Sequence, residues 1–261
     1  MPRANRHYIP GHVWNITHRC HKKEFLLKFA KDRLRYLYWV FEARKRFGLC
    51  VLNYTVTSNH VHLLVKDIGG KDVIPKSIQL IAGRTGQEFN RRKNRKGAFW
   101  EDRYHATAVE TGRHLIQCLI YIDLNMIRAG VVRHPLEWGF GGYAEIQSPK
   151  RRYSLIDYPE LRTLLNFSSM DVLAGACREW IDEALKAGSH FRDEKWTRSI
   201  AVGTEAFVKN TRQNLGFKAA GHDITGGNGN FELREFEAPY MGILGYEKVD
   251  LTPENEYFWN K

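Results

Sequence analysis

The stretch LCVLNYTVTSNHVHLLVKD, residues 49–67, predicts two neighbouring β-strands and thereby decides the fold. Both halves are rich in β-branched, aromatic and aliphatic residues, a composition typical of strands. The polar tripeptide TSN between them is short enough for the two strands to pair as an antiparallel hairpin. In the second strand His60 and His62 stand two positions apart, so both imidazoles are expected on the same face.

Helices and strands are predicted on both sides of this hairpin. In chain order the elements are a strand at residues 12–19, a helix at 24–47, the hairpin, a helix from Asp72, a strand at 103–109 and a helix from Thr111 to Gly130. This order is not the strict alternation of a parallel doubly wound sheet. It predicts an α+β fold, in which an antiparallel sheet carries helices on one or both faces, close to the split βαβ plan.

Apolar spacing predicts the buried side of each helix. The predicted buried residues are Leu26, Ala30, Leu34, Leu37 and Phe41 in the first helix, Ile74, Ile78, Ile81, Thr85 and Phe89 in the second, and Leu115, Leu119, Ile122 and Met126 in the third. Gly48 is the expected C-cap of the first helix. Tyr121 and Asn125 are expected one turn apart at the border of the third.

The composition changes near residue 147. We therefore predict a main domain at residues 1–147 and a small, mostly helical C-terminal extension with an irregular tail at 148–261. The segments PELRTLLN, SMDVLAGACREWIDEALKAG and TEAFVKNTRQNLG are typical of short amphipathic helices. The glycine-rich stretch at 226–230 and the acidic, aromatic residues after it have no assignment.

The distribution of charge indicates a polyanionic partner. The formal net charge is +11, and residues 1–110 hold 22 Lys and Arg against 9 Asp and Glu, whereas the rest of the chain sums to −2. A basic excess concentrated in one region favours nucleic acid, because each phosphate neutralised by a cation releases condensed counterions. A solvated basic surface that serves only solubility is the alternative.

Several protein classes are not favoured by the sequence. No apolar run is long enough for a bilayer span, and the first residues lack the apolar core of a secretory signal, so we expect a cytoplasmic protein with no membrane partner. The four cysteines are far apart and form no CxxC pair. They are expected to be reduced thiols rather than disulfides or zinc ligands.

The histidine pair and the third helix together suggest a site. Two adjacent imidazoles can bind one divalent cation, although two hydrogen-bonded surface histidines would give the same pattern. Tyr121 and Asn125 could bring a phenol and an amide oxygen towards the same strand face. Alternatively, Tyr121 is an ordinary amphipathic border residue and Asn125 a surface residue.

At this point several motifs resemble one family. NHVHLLV is similar to the histidine–hydrophobe–histidine motif of HUH nucleases, and YIDLNMIRAGVV resembles the tyrosine helix of single-tyrosine HUH transposases, especially the REP-associated tyrosine transposases. IPGHVWNIT, FWEDRYHATAV and PLEWGFGGY match that group in the same order, so that the resemblance covers about residues 6 to 147. The sequence departs from the family pattern at Met126, where proline is usual, at Asn15, where histidine is common, and at Gly141 and Gly142, where two serines are typical.

The resemblance implies a ferredoxin-like sheet of the HUH nuclease fold, with single-stranded DNA as the substrate. By the resemblance, His60 and His62 would bind Mg²⁺ or Mn²⁺, Asn125 is a candidate third ligand, and Tyr121 would be the nucleophile. The implied activity is a metal-dependent endonuclease and strand transferase that cleaves hairpin-bearing DNA through a covalent 5′-phosphotyrosine. A monomer or homodimer would be compatible with it. A noncatalytic, domesticated hairpin-binding protein and a metal hydrolase that uses water remain alternatives.

Residues that contact DNA are predicted in two places. The basic run Arg91, Arg92, Lys93, Arg95 and Lys96 could follow a phosphate backbone, and Trp14 or Trp100 could stack on a base. A solvated loop and ordinary core tryptophans are the alternatives. Tyr104 and Tyr143 are rival nucleophiles, but neither has an amide or a carboxylate one turn away on a predicted helix.

Overall fold

The computed structural model of the protein describes residues 9–70, 72–188 and 193–235. Its strands are β1 (Val13–Arg19), β2 (Cys50–Val56), β3 (His60–Lys66), β4 (His105–Val109), β5 (Ala201–Gly203), β6 (His222–Gly227) and β7 (Asn230–Glu235). Its α-helices are α1 (Ala30–Phe47), α2 (Val73–Arg92), α3 (Arg113–Asp123), α4 (Asn125–Arg128), α5 (Gly142–Gln147), α6 (Tyr158–Leu164), α7 (Met170–Lys186), α8 (Lys195–Arg198) and α9 (Glu205–Leu215). Short 3-10 helices cover His21–Lys23, Pro135–Glu137 and Gly216–Ala219.

The first four strands form the antiparallel sheet that the sequence predicts. β2 pairs with β3, β3 with β1 and β1 with β4, and every pair is antiparallel. Helix α1 connects β1 to β2 past the intervening β3, and α2 connects β3 to β4 past β1. This is the ferredoxin-like split βαβ arrangement, so the predicted α+β fold is confirmed.

The C-terminal part continues the same sheet, which the sequence analysis did not predict. Helices α6, α7 and α9 lie where short helices were expected, but β5 joins β4 as a parallel partner, and β7 and β6 follow it. A mostly helical extension is therefore an incomplete description, because three strands prolong the sheet beyond β4. Without β5, the buried strand β4 would present an unpaired edge. The division at residue 147 stays a prediction about domains.

A two-residue turn explains the glycine-rich stretch that the sequence analysis left unassigned. Strands β6 and β7 pair up to Gly227 and Asn230, so that Asn228 and Gly229 alone connect them. Their φ angles are 52° and 73°, in the left-handed region. An Asn-Gly pair with positive φ is the commonest two-residue hairpin connection. The acidic and aromatic residues from 236 onward lie outside the described residues.

Helices α1 and α2 cover one face of the core sheet. On this face His18 of β1 stacks on Trp100, with ring centroids 4.0 Å apart, and the indole of Trp100 donates to the carbonyl oxygen of Ala82 in α2. Val61 and Leu63 of β3 face the same way, since they alternate with the two histidines, and both are fully buried. Helix α3 crosses the opposite face, which carries His60 and His62.

Helix α1 begins later, and buries a different side, than its apolar spacing predicts. Residues 24–29 are not helical because their backbone is hydrogen-bonded to the β2–β3 turn. The amide of Leu27 donates to the carbonyl oxygen of Ser58 in that turn at 2.9 Å. Leu34, which was predicted to be buried, is 58% exposed, and the buried residues are Asp32, Arg33, Tyr36, Trp39, Val40 and Ala43. Gly48 is the C-cap in the left-handed conformation, as predicted.

The buried sides of α2 and α3 are as predicted. All five residues expected to be buried in α2 are buried, and so are Leu115, Leu119, Ile122 and Met126. Asp72 occupies the N-cap position of α2, but its side chain makes no capping hydrogen bond. Within the described ranges, no helix is long and apolar enough to cross a membrane.

Candidate active site

His60 and His62 lie side by side at the start of β3 and face α3. Their ring centroids are 5.3 Å apart, and the ring of His62 lies 5.5 Å from that of Tyr121, at right angles to it. Strand alternation puts the two imidazoles on one face, and the packing of α3 across that face adds the phenol. The structure thus brings together the three residues on which the sequence analysis concentrated.

Hydrogen bonds on Nδ1 orient both imidazoles. Nδ1 of His62 lies 3.1 Å from Oγ1 of Thr17 on the neighbouring strand. Nδ1 of His60 lies 2.8 Å from Oδ1 of Asn59 and 3.0 Å from Oγ1 of Thr57. When Nδ1 carries the proton and donates to these oxygens, Nε2 is the nitrogen that can coordinate a cation.

The helix that carries Tyr121 is interrupted, whereas a continuous helix to Gly130 was predicted. Helix α3 ends at Asp123, Leu124 has φ −79° and ψ 3°, and α4 begins at Asn125. The distortion is small because the amide of Leu124 still donates to the carbonyl oxygen of Ile120 at 2.9 Å. Tyr121 and Asn125 consequently remain on the same side and line the same cavity.

This cavity has a volume of about 530 Å³. We call it the nucleophile cavity after the role that the family resemblance implies for Tyr121. His60, His62, Tyr121 and Asn125 all line it. Its remaining charged residues are Arg19, Lys23, Arg128, Arg198 and Glu194. Because cations outnumber carboxylates four to one, the cavity is suited to an anionic ligand such as a DNA strand.

Arg128 is a cation in direct contact with the ring of Tyr121. Its guanidinium carbon lies 4.1 Å from the ring centroid of Tyr121, and Nη2 donates to the backbone carbonyl oxygen of the same residue at 2.6 Å. The guanidinium therefore stacks on the ring and stays fixed to α3. A phosphate that approached the phenol would meet a positive charge at once.

The C-terminal extension supplies one wall of the nucleophile cavity. Asn15 of β1 donates to the carbonyl oxygen of Trp196 at 2.8 Å, and Thr107 of β4 donates to that of Ser199 at 2.6 Å. Nε2 of His105 lies 3.0 Å from the same oxygen of Ser199. The short helix α8 contains the first of these anchored carbonyls and ends directly before the second, so it is held over the site. Asn15, a departure from the family pattern, thus has a structural role.

The same wall explains why the border of α3 is more buried than expected. Tyr121 is 7% exposed and Asn125 is 8% exposed. The ring of Trp196 lies 6.1 Å from that of Tyr121. His114 at the start of α3 is also buried, and its Nε2 lies 3.1 Å from the carbonyl oxygen of Gly229. Residues from the extension cover the border of α3, which would otherwise be exposed to solvent.

Asp123 is an ionisable group on the far side of α3 from the phenol. Its Oδ1 accepts a hydrogen bond from Nδ2 of Asn53 in β2 at 2.9 Å. Burial raises the pKa of Asp123 to about 7, and the hydrogen bond from Asn53 offsets only part of that rise. The carboxyl group therefore changes charge near neutral pH.

The residues predicted to contact DNA do not line the nucleophile cavity. Arg91, Arg92, Lys93, Arg95 and Lys96 lie at and beyond the end of α2. Arg92 forms an ion pair with Asp32, and Arg95 forms one with Glu24. Arg91, Lys93 and Lys96 are exposed to solvent. A role for this basic run in DNA binding stays a prediction.

Neither tryptophan proposed to stack on a base is placed to do so in this structure. Trp14 is 3% exposed, so the expectation that it stacks on a base is corrected in favour of an ordinary core residue. Trp100 lies against His18 and Tyr36 on the face of α1 and α2, away from the phenol. Both rings lie on the helix-covered side of the sheet, where Trp14 is buried and Trp100 is partly buried.

The rival tyrosines are also apart from the histidine pair. Tyr143 is 1% exposed, and its ring packs against that of His134. The ring of Tyr104 lies 6.2 Å from that of His18, a residue of the opposite face. Neither residue lines the nucleophile cavity.

Sequence reasoning missed the cations of the nucleophile cavity, although two could have been found. Arg19 stands two positions after Thr17 in β1, so alternation puts it on the face of the histidines. Arg128 follows Tyr121 by two helical turns. Arg198 belongs to the extension, and no local pattern connects it with the histidine pair.

The side chains at this site could supply only part of the coordination shell of a metal ion. In the part of the chain that the structure describes, no three His, Cys, Asp or Glu side chains cluster as metal ligands. A metal at this site would have two imidazoles and the amide oxygen of Asn125 as its protein donors. The other positions would be left to water and to oxygens of a substrate, which is how magnesium-like ions are commonly held.

Comparison with known proteins agrees with the resemblance seen in the motifs. Residues 12–125 match the family described as "Transposase IS200 like". Among solved structures, the chain is similar to a REP-associated tyrosine transposase bound to a REP hairpin, with 17% identity over 57% of this chain and 87% of that chain and a TM-score of 0.48. A putative transposase from Deinococcus radiodurans R1 is 14% identical over 45% of this chain and 92% of its own, with a TM-score of 0.33. No curated protein matches the sequence significantly.

Proposed function

We propose a specific reaction for the site, and the match of residues 12–125 to the IS200-like transposase family supports it. The protein is a metal-dependent endonuclease and strand transferase. It cleaves single-stranded, hairpin-bearing DNA through a covalent 5′-phosphotyrosine on Tyr121.

One observation carries this proposal. His60, His62, Tyr121 and Asn125 line a single cavity whose other charged groups are mainly cations. A site for hydrolysis of a neutral substrate would have no need of four surrounding cations. A surface that only binds a hairpin would have no need of a phenol beside paired imidazoles.

The phenol of Tyr121 is the nucleophile in the proposed reaction. Its oxygen attacks the scissile phosphorus, a new P–O bond forms, and the bond to the 3′-oxygen breaks. The phenol gives up its proton, and the departing 3′-oxygen takes one up to become a hydroxyl group. The phosphodiester carries one negative charge both before and after the step. Since the energy of the bond is kept in the phosphotyrosine, attack by a 3′-hydroxyl reverses the step and rejoins DNA without ATP.

The residues present fit a divalent cation bound jointly with the substrate. His60 and His62, oriented through their Nδ1 hydrogen bonds, and the amide of Asn125 would hold it. When bound, Mg²⁺ or Mn²⁺ would withdraw charge from the scissile phosphate and orient it. Arg128 and Arg198 attract the neighbouring phosphates and keep the strand in place.

A covalent adduct assay tests the proposal. The protein is incubated with Mn²⁺ and with single-stranded hairpin DNA, labelled in turn at each end, and the products are separated on a denaturing gel. We expect a labelled protein–DNA band that requires Mn²⁺, contains the 5′-phosphate side of the break and disappears in Tyr121→Phe. Tyr104→Phe is the matched control, and it should retain the band because Tyr104 lies on the other face.

Two outcomes would overturn this assignment. Cleavage that persists in Tyr121→Phe would indicate a hydrolase that uses water. Binding of the hairpin by the wild-type protein without any cleavage would indicate a noncatalytic DNA-binding protein.

A further inference from the structure

A second cavity adjoins Tyr121, and we infer that it binds one nucleobase of the DNA strand next to the scissile phosphate, with Gln117 as the residue that recognises the base. This inference rests on the proposed DNA substrate. It adds a specificity-determining residue and assigns part of the recognition to the C-terminal extension.

The second cavity, which we call the base cavity, has a volume of about 610 Å³. It lies between α3, the end of α7 and residues 193–196 of the extension. Tyr121, Arg128 and Glu194 line both this cavity and the nucleophile cavity. A strand whose phosphate reaches the phenol therefore has a neighbouring nucleotide at the entrance of the base cavity.

Gln117 lines this cavity and carries a hydrogen-bonding atom that is not used within the protein. Its Oε1 is buried and has no hydrogen-bond partner among the described residues. Gln117 precedes Tyr121 by one helical turn, so the two side chains lie on the same side of α3. A buried acceptor without a partner destabilises the folded chain, and a ligand that donates to it would remove that cost.

A nucleobase fits this acceptor better than a phosphate does. Each base edge presents donors beside acceptors, and a glutamine amide can make a paired contact with such an edge. A phosphate oxygen cannot donate to Oε1. The side chains of Ile120, Leu124 and Ala184 supply the apolar walls that the faces of a base require.

The charges at the edge of the base cavity are compatible with the adjacent phosphates. Asp193 is paired with Lys195 at 2.8 Å, and Glu194 is paired with Arg198 at 3.2 Å and with Arg234 at 3.3 Å. Both carboxylates are thus neutralised by cations of the extension. Arg128, stacked on Tyr121, remains on the side where the phosphate backbone would pass.

A scan with abasic sites tests the inference through binding alone. The Tyr121→Phe protein, which cannot form the adduct, is titrated with hairpin oligonucleotides that carry one abasic site at successive positions of the single-stranded arm. We expect one position at which loss of the base weakens binding about 10-fold, within the range for a single base contact. Adding Gln117→Leu should reduce that effect to below about 3-fold at the same position only.

Two further variants keep the test decisive. Gln213→Leu, an exposed glutamine of α9, is the matched control and should leave the abasic effect unchanged. Ala184→Phe fills the cavity from α7 without altering α3, and it should remove the abasic effect as Gln117→Leu does. A thermal melt of each variant shows whether it is folded.

The outcomes separate the inference from the proposed function. An abasic effect of equal size with and without Gln117→Leu, or no sensitive position at all, would overturn the base cavity even if the wild-type protein forms the adduct. A position-specific effect that depends on Gln117, with no adduct from the wild-type protein, would support the base cavity and overturn the proposed catalysis.

Discussion

The two faces of the core sheet are built from the same strands, yet one face packs into the hydrophobic core and the other carries the candidate site. On β3, Leu63 is packed under α1 and α2, while its neighbour His62 faces the nucleophile cavity. On β1, Trp14 is in the core and its neighbour Asn15 holds the extension in place. Stability and chemistry are therefore separated by the alternation of the strands, and single substitutions should affect one without the other.

The largest expected effect is on the apolar face. Leu63→Ala should lower the free energy of unfolding by about 2–5 kcal/mol, because it leaves a cavity beneath the helices. Chemical denaturation measures this loss. At a temperature where the variant is still folded, its affinity for Mn²⁺ should match that of the wild-type protein. A weakened affinity would show that the two faces are coupled.

The next effect is on the opposite face, one residue away. His62→Ala should lower Mn²⁺-dependent cleavage at least about 100-fold, since one of the two imidazole donors is lost. The free energy of unfolding should fall by about 1–3 kcal/mol, the cost of leaving the buried hydroxyl group of Thr17 without this partner. His105→Ala is the control on the same face: His105 binds a backbone carbonyl oxygen, so Mn²⁺ binding measured by calorimetry should persist.

A smaller effect should appear as a dependence of stability on pH. The pKa of Asp123 rises from an ordinary 3.8 to about 7 on folding, so the folded chain holds a proton that the unfolded chain releases between these values. Its contribution to stability is therefore lost as pH increases through that window and is constant above about pH 7. Between pH 5 and 8, the free energy of unfolding of the wild-type protein should fall by on the order of 2 kcal/mol more than that of Asp123→Asn. Parallel pH profiles of the two proteins would disprove this.

The smallest expected effect concerns the basic run beyond α2. Replacing Arg91, Lys93 and Lys96 by glutamine should reduce the slope of log affinity against log salt by about 2 for a single strand. Folding should be unaffected, because all three side chains are exposed. An unchanged slope would mean that the DNA is held by the cations of the nucleophile cavity and not by this run.

The sequence allowed the core sheet and the shared face of His60 and His62 to be predicted because local patterns determine them. The order of strands and helices implied the split βαβ plan, and the spacing of His60 and His62 placed both on one face. The apolar stripe of α2 was predicted correctly for the same reason. In each case, periodicity within about 20 residues carries the necessary information.

The remaining features depend on contacts between distant parts of the chain. Residues 24–29 have a helix-like sequence, but their backbone is hydrogen-bonded to the β2–β3 turn. Leu34 fits the predicted apolar spacing, but it lies on a side of α1 that does not pack against the core. Strand β5 has only three residues, which is too short for a recognisable alternation. The Asn-Gly turn between β6 and β7 was a usable signal, but its flanking strands are largely polar and so were not recognised.

The pairing of β5 with β4 also determines the order in which the protein can fold. The two strands are separated by roughly 90 residues, and closing so long a loop becomes favourable only after other structure has reduced the distance. The first four strands can form through shorter connections, so the core is expected to fold first and to present β4 as a template. Helix α8 lies immediately before β5, so the wall of the nucleophile cavity is completed last. A newly synthesised chain would thus acquire its core fold well before the wall of this cavity is in place.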